Sequence, residues 1–155
     1  MNSHNWNILC RNIRGLNGSI KWDAVRKKLD ESGCSIVCIQ EIKRELIDAS
    51  FIRNFAPRHF DHFDYIPSIG LSGGLLGLWC CSVFGGIVVE KLQFSITVNF
   101  TSIHNGDQWH LGNIYGPCDE PARSTLINWF RNYEADDRLN WIFLGDFNYY
   151  RLLEN

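Results

Sequence analysis

The sequence predicts an α/β fold of two packed β-sheets flanked by helices, and three observations carry that prediction. Segments of helical period stand between short apolar runs near both ends of the chain. The middle is a succession of strand-like runs with little helix between them. Three apolar runs end abruptly in polar residues, as strands do where an α/β sheet builds a site. At 155 residues the chain is one domain's worth.

Taken in order, residues 6–11 read as a first strand ended by polar residues. Beyond Gly15-Leu16-Asn17-Gly18, Trp22, Val25 and Leu29 recur at i, i+3 and i+7. That spacing marks a helix with Lys21, Lys27, Lys28 and Asp30 on its outer face, closed by Ser32-Gly33. Residues 35–39, SIVCI, are too short for a helix and form a buried strand. A second helix is expected over 44–55, stopped near Pro57.

Strands follow at 64–66, 75–81, 87–91, 94–100 and 108–114. Phe94, Ile96, Val98 and Phe100 alternate with Ser95, Thr97 and Asn99, the period of a half-buried strand. Pro121 sits where a helix starts, and Leu126, Ile127, Phe130 and Tyr133 give it an apolar face. Residues 141–144 are a last strand that reads as buried on both faces, so neighbours are expected on each side of it.

Composition narrows the function classes. Hydrophobic residues are 45% and charged residues 21%, which excludes a disordered tail, a collagen-like fibre and a coiled coil. The formal charge is −2, so no basic surplus announces a nucleic-acid partner. Six cysteines form no C-x-x-C pair and mostly lie in apolar runs, where free thiols pack as small hydrophobes; no disulfides are expected. The N-terminal residues hold no apolar stretch of signal-peptide length, and the expectation is an intracellular protein of nucleus or cytoplasm, not a secreted one.

Residues 65–89 carry no charge, and their length alone would cross a bilayer. Six glycines and Pro67 argue instead for two short strands, 75–81 and 87–89, joined near Gly85-Gly86 in the buried centre of a sheet. A membrane partner is not expected.

The polar residues at the strand ends carry the chemistry. One run ends in Gln40-Glu41, another in Tyr115-Gly116-Pro117, and a third in Gly145-Asp146-Phe147-Asn148. Asp146 and Asn148 are two apart, so in extended backbone both project to one side. A carboxylate on one strand end facing an Asp-x-Asn on another suits a hard divalent cation such as magnesium.

Other constellations carry less. His59-Phe60-Asp61-His62-Phe63-Asp64 sets two imidazoles three apart among acids. No further ligand pair sits at a recognised spacing, and the segment reads as a loop, so zinc is not predicted. Asp23, Asp30 and Glu31 dilute Arg26-Lys27-Lys28 into a solvated helix face. The chain has neither a P-loop nor a G-x-S-x-G elbow.

Five segments in one order supply a resemblance. They are Asn12-Ile13-Arg14-Gly15-Leu16, Ile39-Gln40-Glu41-Ile42-Lys43, Ser72-Gly73-Gly74-Leu75, Asn113-Ile114-Tyr115-Gly116-Pro117 and Gly145-Asp146-Phe147-Asn148. Together they resemble the endonuclease/exonuclease/phosphatase superfamily, and most closely the endonuclease domains of plant non-LTR (LINE-type) retrotransposons. The resemblance implies a DNase I-like four-layer α/β sandwich that cleaves phosphodiester bonds in DNA with Mg2+ or Mn2+. By position, Glu41 would be the metal carboxylate, with Asn12 beside it. Tyr115 would hydrogen-bond the scissile phosphate. Asp146 would orient or deprotonate the attacking water, and Asn148 would steady the transition-state charge. The resemblance also admits fusion upstream of a reverse transcriptase.

The chain departs from the family pattern in two ways. Arg11 stands before Asn12 where an aromatic or small residue is usual, and none of the five histidines lies in the family's Ser-Asp-His context. These departures predict a domain, 1–155, that is incomplete at the C-terminus and represents the N-terminal two-thirds of the family's. Loss of the histidine's acid–base help costs about 10²–10⁴-fold, so little nuclease activity is expected of the chain alone. Two further readings stand beside the endonuclease: a non-catalytic remnant or interaction module of the same fold, and a phosphatase for small phosphorylated substrates.

Overall fold

The computed structural model describes residues 7–133 and 138–148. The first sheet contains β1 (Ile8–Asn12), β2 (Ile36–Gln40), β3 (His62–Ile66) and β4 (Leu75–Trp79), in the spatial order β1-β2-β4-β3. The second contains β5 (Phe84–Leu92), β6 (Ser95–Ser102), β7 (Gln108–Tyr115) and β8 (Asn140–Asp146), in sequence order. Each sheet is mixed, with one parallel pair: β1 with β2, and β7 with β8. The helices are α1 (Ser19–Ser32), α2 (Ala49–Ile52) and α3 (Ala122–Arg131).

Alternation along the strands builds the layers. Ile36, Cys38, Leu75 and Trp79 of the first sheet meet Phe84, Ile96, Val98, Phe100, Trp109 and Leu111 of the second. The opposite face of the first sheet, with Val37, Ile39, Leu76 and Leu78, packs on Val25 and Leu29 of α1 and on Phe51 and Ile52 of α2. Rings hold α3 to the outer face of the second sheet. Phe130 lies 5.5 Å from Phe143, and the adjoining Tyr133 lies 5.1 Å from Trp141, both pairs edge to face. The layer order is therefore helix, sheet, sheet, helix.

Several expectations need correction. The helix expected over 44–55 is a single turn, α2, capped by Asp48, whose Oδ1 accepts the Phe51 N–H at 2.8 Å. Residues before it cannot be helical, because Ile42 and Lys43 donate their N–H groups to Gly74 and Gly73, and the Arg44 carbonyl accepts from Ser68. The uncharged run 65–89 does not form one buried sheet centre. Gly85 and Gly86 lie inside β5, and a Cβ on Gly86 would meet the Trp79 indole at 2.7 Å. The chain crosses between sheets at 80–83, and β5 is an edge strand with Ile87 70% and Val89 50% exposed.

Ser95 and Thr97 are fully buried rather than half-exposed, because β6 is interior to its sheet and the outer face is covered. His62 and Phe63 belong to β3 and not to a loop, so the strand expected at 64–66 starts two residues earlier. Among the described residues β8 pairs only with β7 and is half-exposed, unlike the doubly buried strand expected. No described helix is long and apolar enough to cross a membrane. All six cysteines are free thiols.

Candidate active site

The two parallel strand pairs deliver the site. In the first sheet Asn12 lies opposite Gln40, so Asn12 and Glu41 leave at the same end. In the second, Tyr115 lies opposite Asp146. Stacking of the sheets brings these ends together. Asn12 Nδ2 donates to Asp146 Oδ2 at 2.8 Å, and the Tyr115 hydroxyl donates to Glu41 Oε1 at 2.6 Å. Both are charge-assisted bonds between sheets.

Asn148 closes the arrangement. Its N–H donates to Asp146 Oδ1 at 3.1 Å, and its Nδ2 donates to the Gly116 carbonyl at 2.5 Å. The Gly116 N–H donates to the Asp146 carbonyl at 2.6 Å, which ties the loop after β7 to the loop after β8. Asn12, Arg14, Glu41, Cys118, Asp146, Phe147 and Asn148 line an open cleft of about 600 Å³. Cys118 also lines an adjoining, more apolar cavity of about 670 Å³, whose wall includes Tyr115 and which reaches Pro67, Phe94 and Pro117. All five side chains singled out in the sequence therefore converge, each half-buried.

Backbone strain gathers at this cleft. Among the described residues, the non-glycine ones with left-handed φ are Arg14 (49°), Glu41 (54°), Lys43 (51°) and Asn148 (48°). Each such conformation costs about 1–2 kcal/mol in an L-residue. For Glu41 the surroundings hold it: its carbonyl accepts from Gly15 at 2.7 Å, and Lys43 donates to Gly73 at 3.0 Å. Gly74 closes the clamp with φ 93°, and a Cβ there would lie 2.4 Å from Ile42 Cγ1.

Charge and hydrogen bonding set the protonation of the site. Burial first, and then the Glu41 carboxylate it bonds, push the Tyr115 hydroxyl well above the ordinary tyrosine range. Tyr115 is thus held as a donor. Glu41 Oε2 has no partner among the described residues, so one carboxylate oxygen is left for a cation. The donors around the cleft, two carboxylates and two carboxamides, are the hard oxygen ligands magnesium takes alongside water and substrate phosphate. No described histidine lines the cleft.

Comparison with known proteins bears on the fold. No family model matches the chain, and no curated protein matches it significantly. Solved structures do. An AP endonuclease from Archaeoglobus fulgidus superposes with a TM-score of 0.65 at 18% identity, covering 93% of this chain and 58% of that one. The endonuclease domain of TRAS1, a telomere-specific non-LTR retrotransposon, gives 0.64 at 15%, covering 92% and 60%. The mannosyl-6-phosphatase of Bacteroides thetaiotaomicron gives 0.62 at 15%, covering 93% and 66%. The fold is DNase I-like. The chain spans 54–66% of the length of such structures.

Within this DNase I-like sandwich the structure adds residues to which the sequence assigned no role. Gln40 Nε2 donates to Asn113 Oδ1 at 2.8 Å, and Asn113 Nδ2 donates to the Leu76 carbonyl at 3.1 Å. This buried pair bridges the sheets directly beneath Glu41 and Tyr115. Its signal was present only in part: Gln40 ends the apolar run of β2, and Asn113 interrupts the apolar end of β7. Cys118 and Arg14 line the cleft from loops, where the pattern of apolar residues gives no cue.

Proposed function

We propose that the chain carries a metal-dependent phosphodiester-hydrolysing site directed at DNA, of the retrotransposon-endonuclease kind. The observation that carries this reading is the meeting of Glu41, Asn12, Asp146 and Asn148 at one cleft across two sheets, with Tyr115 bonded to Glu41 at its edge. Glu41 and the Asn12 amide oxygen would hold Mg2+ or Mn2+. The ion would supply neutralisation of charge developing on the phosphate. Tyr115, held protonated, would turn its single O–H from Glu41 to a phosphate oxygen once that carboxylate holds the ion, and the second N–H of Asn148 Nδ2 would donate alongside it. Asp146, oriented by Asn12 and by the Asn148 N–H, would direct the attacking water and take its proton. Arg11, Arg14, Lys21 and Lys28 border a shallow groove beside Asn12, a local basic rim that favours a phosphate backbone despite the net charge of −2.

A phosphatase reading for small phosphorylated substrates is favoured by the cavity beside Tyr115, which is large enough for a compact ligand. Nicking of supercoiled plasmid by folded protein tests the proposal, with Mg2+, Mn2+ or EDTA and with Glu41→Ala and Asp146→Ala alongside. Nicking abolished by EDTA and by either substitution supports it. Hydrolysis of a sugar phosphate without nicking moves the assignment to the phosphatase. Inactivity on both supports a remnant, and calorimetric Mg2+ titration then shows whether the site persists as a binder.

A further inference from the structure

We propose that Asp61, His62 and Cys81 form a second divalent-metal site, suited to zinc, at the end of the first sheet opposite the cleft. Strand pairing builds it. His62 opens β3 and lies opposite Trp79 near the end of β4, so Asp61 just before one strand meets Cys81 just after the other. The Asp61 carboxylate is fixed by both of its oxygens. Oδ1 accepts the Cys81 N–H at 2.9 Å, and Oδ2 accepts the Cys81 thiol at 2.8 Å. His62 Nδ1 stands 3.3 Å from Asp61 Oδ1. One ligand atom from each residue lies within 4.8 Å of the other two.

Three donors of three kinds at that spacing match a zinc coordination sphere. With bonds of about 2.0–2.3 Å, tetrahedral zinc spaces its ligands by roughly 3.3–3.8 Å, so closing around an ion takes only small side-chain adjustments. A thiolate and an imidazole favour zinc over magnesium, which prefers oxygen. The cleft offers the reverse donor set. The two sites also stand apart by about one strand, roughly 16 Å at 3.3 Å per residue. Coordination by Cys81 as thiolate sends its proton to solvent, and water fills the fourth position because three protein ligands leave it open. The sequence pattern did not reveal this site because Cys81 is 20 residues from Asp61 and becomes a neighbour only through the β3–β4 pairing.

Cobalt titration of the full chain tests the proposal by reading the thiolate-to-cobalt charge-transfer band, with zinc added in competition. The expected result is one cobalt per chain with that band, displaced by zinc. The band disappears in Cys81→Ser. Affinity in Asp61→Asn and His62→Gln falls by at least about tenfold, the low end of what loss of even an outer partner costs. Glu41→Ala and Cys118→Ser retain the band, which separates this site from the cleft. Circular dichroism confirms that the variants are folded. Absence of the band in folded wild type, its survival in Cys81→Ser, or its loss in Cys118→Ser overturns the proposal.

Discussion

The Tyr115 hydroxyl donates to Glu41 Oε1 at 2.6 Å, joining the end of β7 to the residue after β2 across the two sheets. Because burial and this carboxylate raise the tyrosine's pKa in the folded state, the unfolded chain ionises first, near the ordinary value of about 10. Below that pH the contribution to stability is complete; as pH rises through and beyond it, the unfolded state loses the proton and stability falls. Tyr115→Phe removes the linkage and costs about 1–2 kcal/mol at neutral pH. Urea unfolding from pH 8 to 11 should show the gap between wild type and variant narrowing as pH rises. A constant gap would refute the assignment.

Asn12 and Asp146 make a second bond between sheets, and its sign can be inverted. With Asn12→Asp, two carboxylates face each other where an amide now donates at 2.8 Å. Like charges at that range raise one carboxyl pKa. A raised folded-state pKa means that the deficit is absent below the unfolded value of about 4, grows as pH rises from there, and is complete above the shifted value. We expect a loss of about 1–3 kcal/mol at pH 7 that millimolar Mg2+ largely reverses. Asn12→Ala should lose the hydrogen bond without gaining cation dependence. Thermal melts of both variants with and without Mg2+ read the difference directly.

Gly74 supports the Glu41 loop by having no side chain. Its φ is 93°, and a Cβ would sit 2.4 Å from Ile42 Cγ1 and 3.2 Å from the Ser68 nitrogen. Gly74→Ala therefore adds overpacking to backbone strain and should cost about 2–4 kcal/mol. Gly18→Ala is the matched control, since its φ of 92° is equally left-handed but nothing lies within 4 Å. That variant should lose only about 1–2 kcal/mol, the strain alone. Equal losses in the two would show that the contact with Ile42 does not constrain the loop.

These features explain which parts of the molecule were legible from sequence. Strand ends were legible because an apolar run gives way to polar residues at Glu41, Tyr115 and Asp146, with a drop in burial at the first two. Parallel pairing of β1 with β2 and of β7 with β8 then forces those ends together. The helix expected at 44–55 failed for a non-local reason: Ile42, Lys43 and Arg44 spend backbone groups on residues 68–74. The β5 boundary failed similarly, since Gly86 reads as a turn until Trp79 is seen to occupy the space of its missing Cβ. The trio of Asp61, His62 and Cys81 needs a register that no local pattern encodes.

The buried amide pair offers the last test. Gln40 and Asn113 are 1% and 2% exposed, and Gln40 Nε2 donates to Asn113 Oδ1 at 2.8 Å immediately before Glu41 and two residues before Tyr115. Gln40→Leu leaves the Asn113 oxygen without this donor, and Asn113→Leu leaves the Leu76 carbonyl without its Asn113 donor and the Gln40 amide with only the Cys10 sulfur. Each single change should cost about 1–3 kcal/mol, the penalty for an orphaned buried polar group. The double replacement removes both members of the pair, so its cost should fall short of the sum by about 1–2 kcal/mol. Urea unfolding of the four proteins in the cycle measures that coupling. Additive losses would mean that the amides contribute separately, and that the site above them is positioned by the Tyr115–Glu41 and Asn12–Asp146 bonds instead.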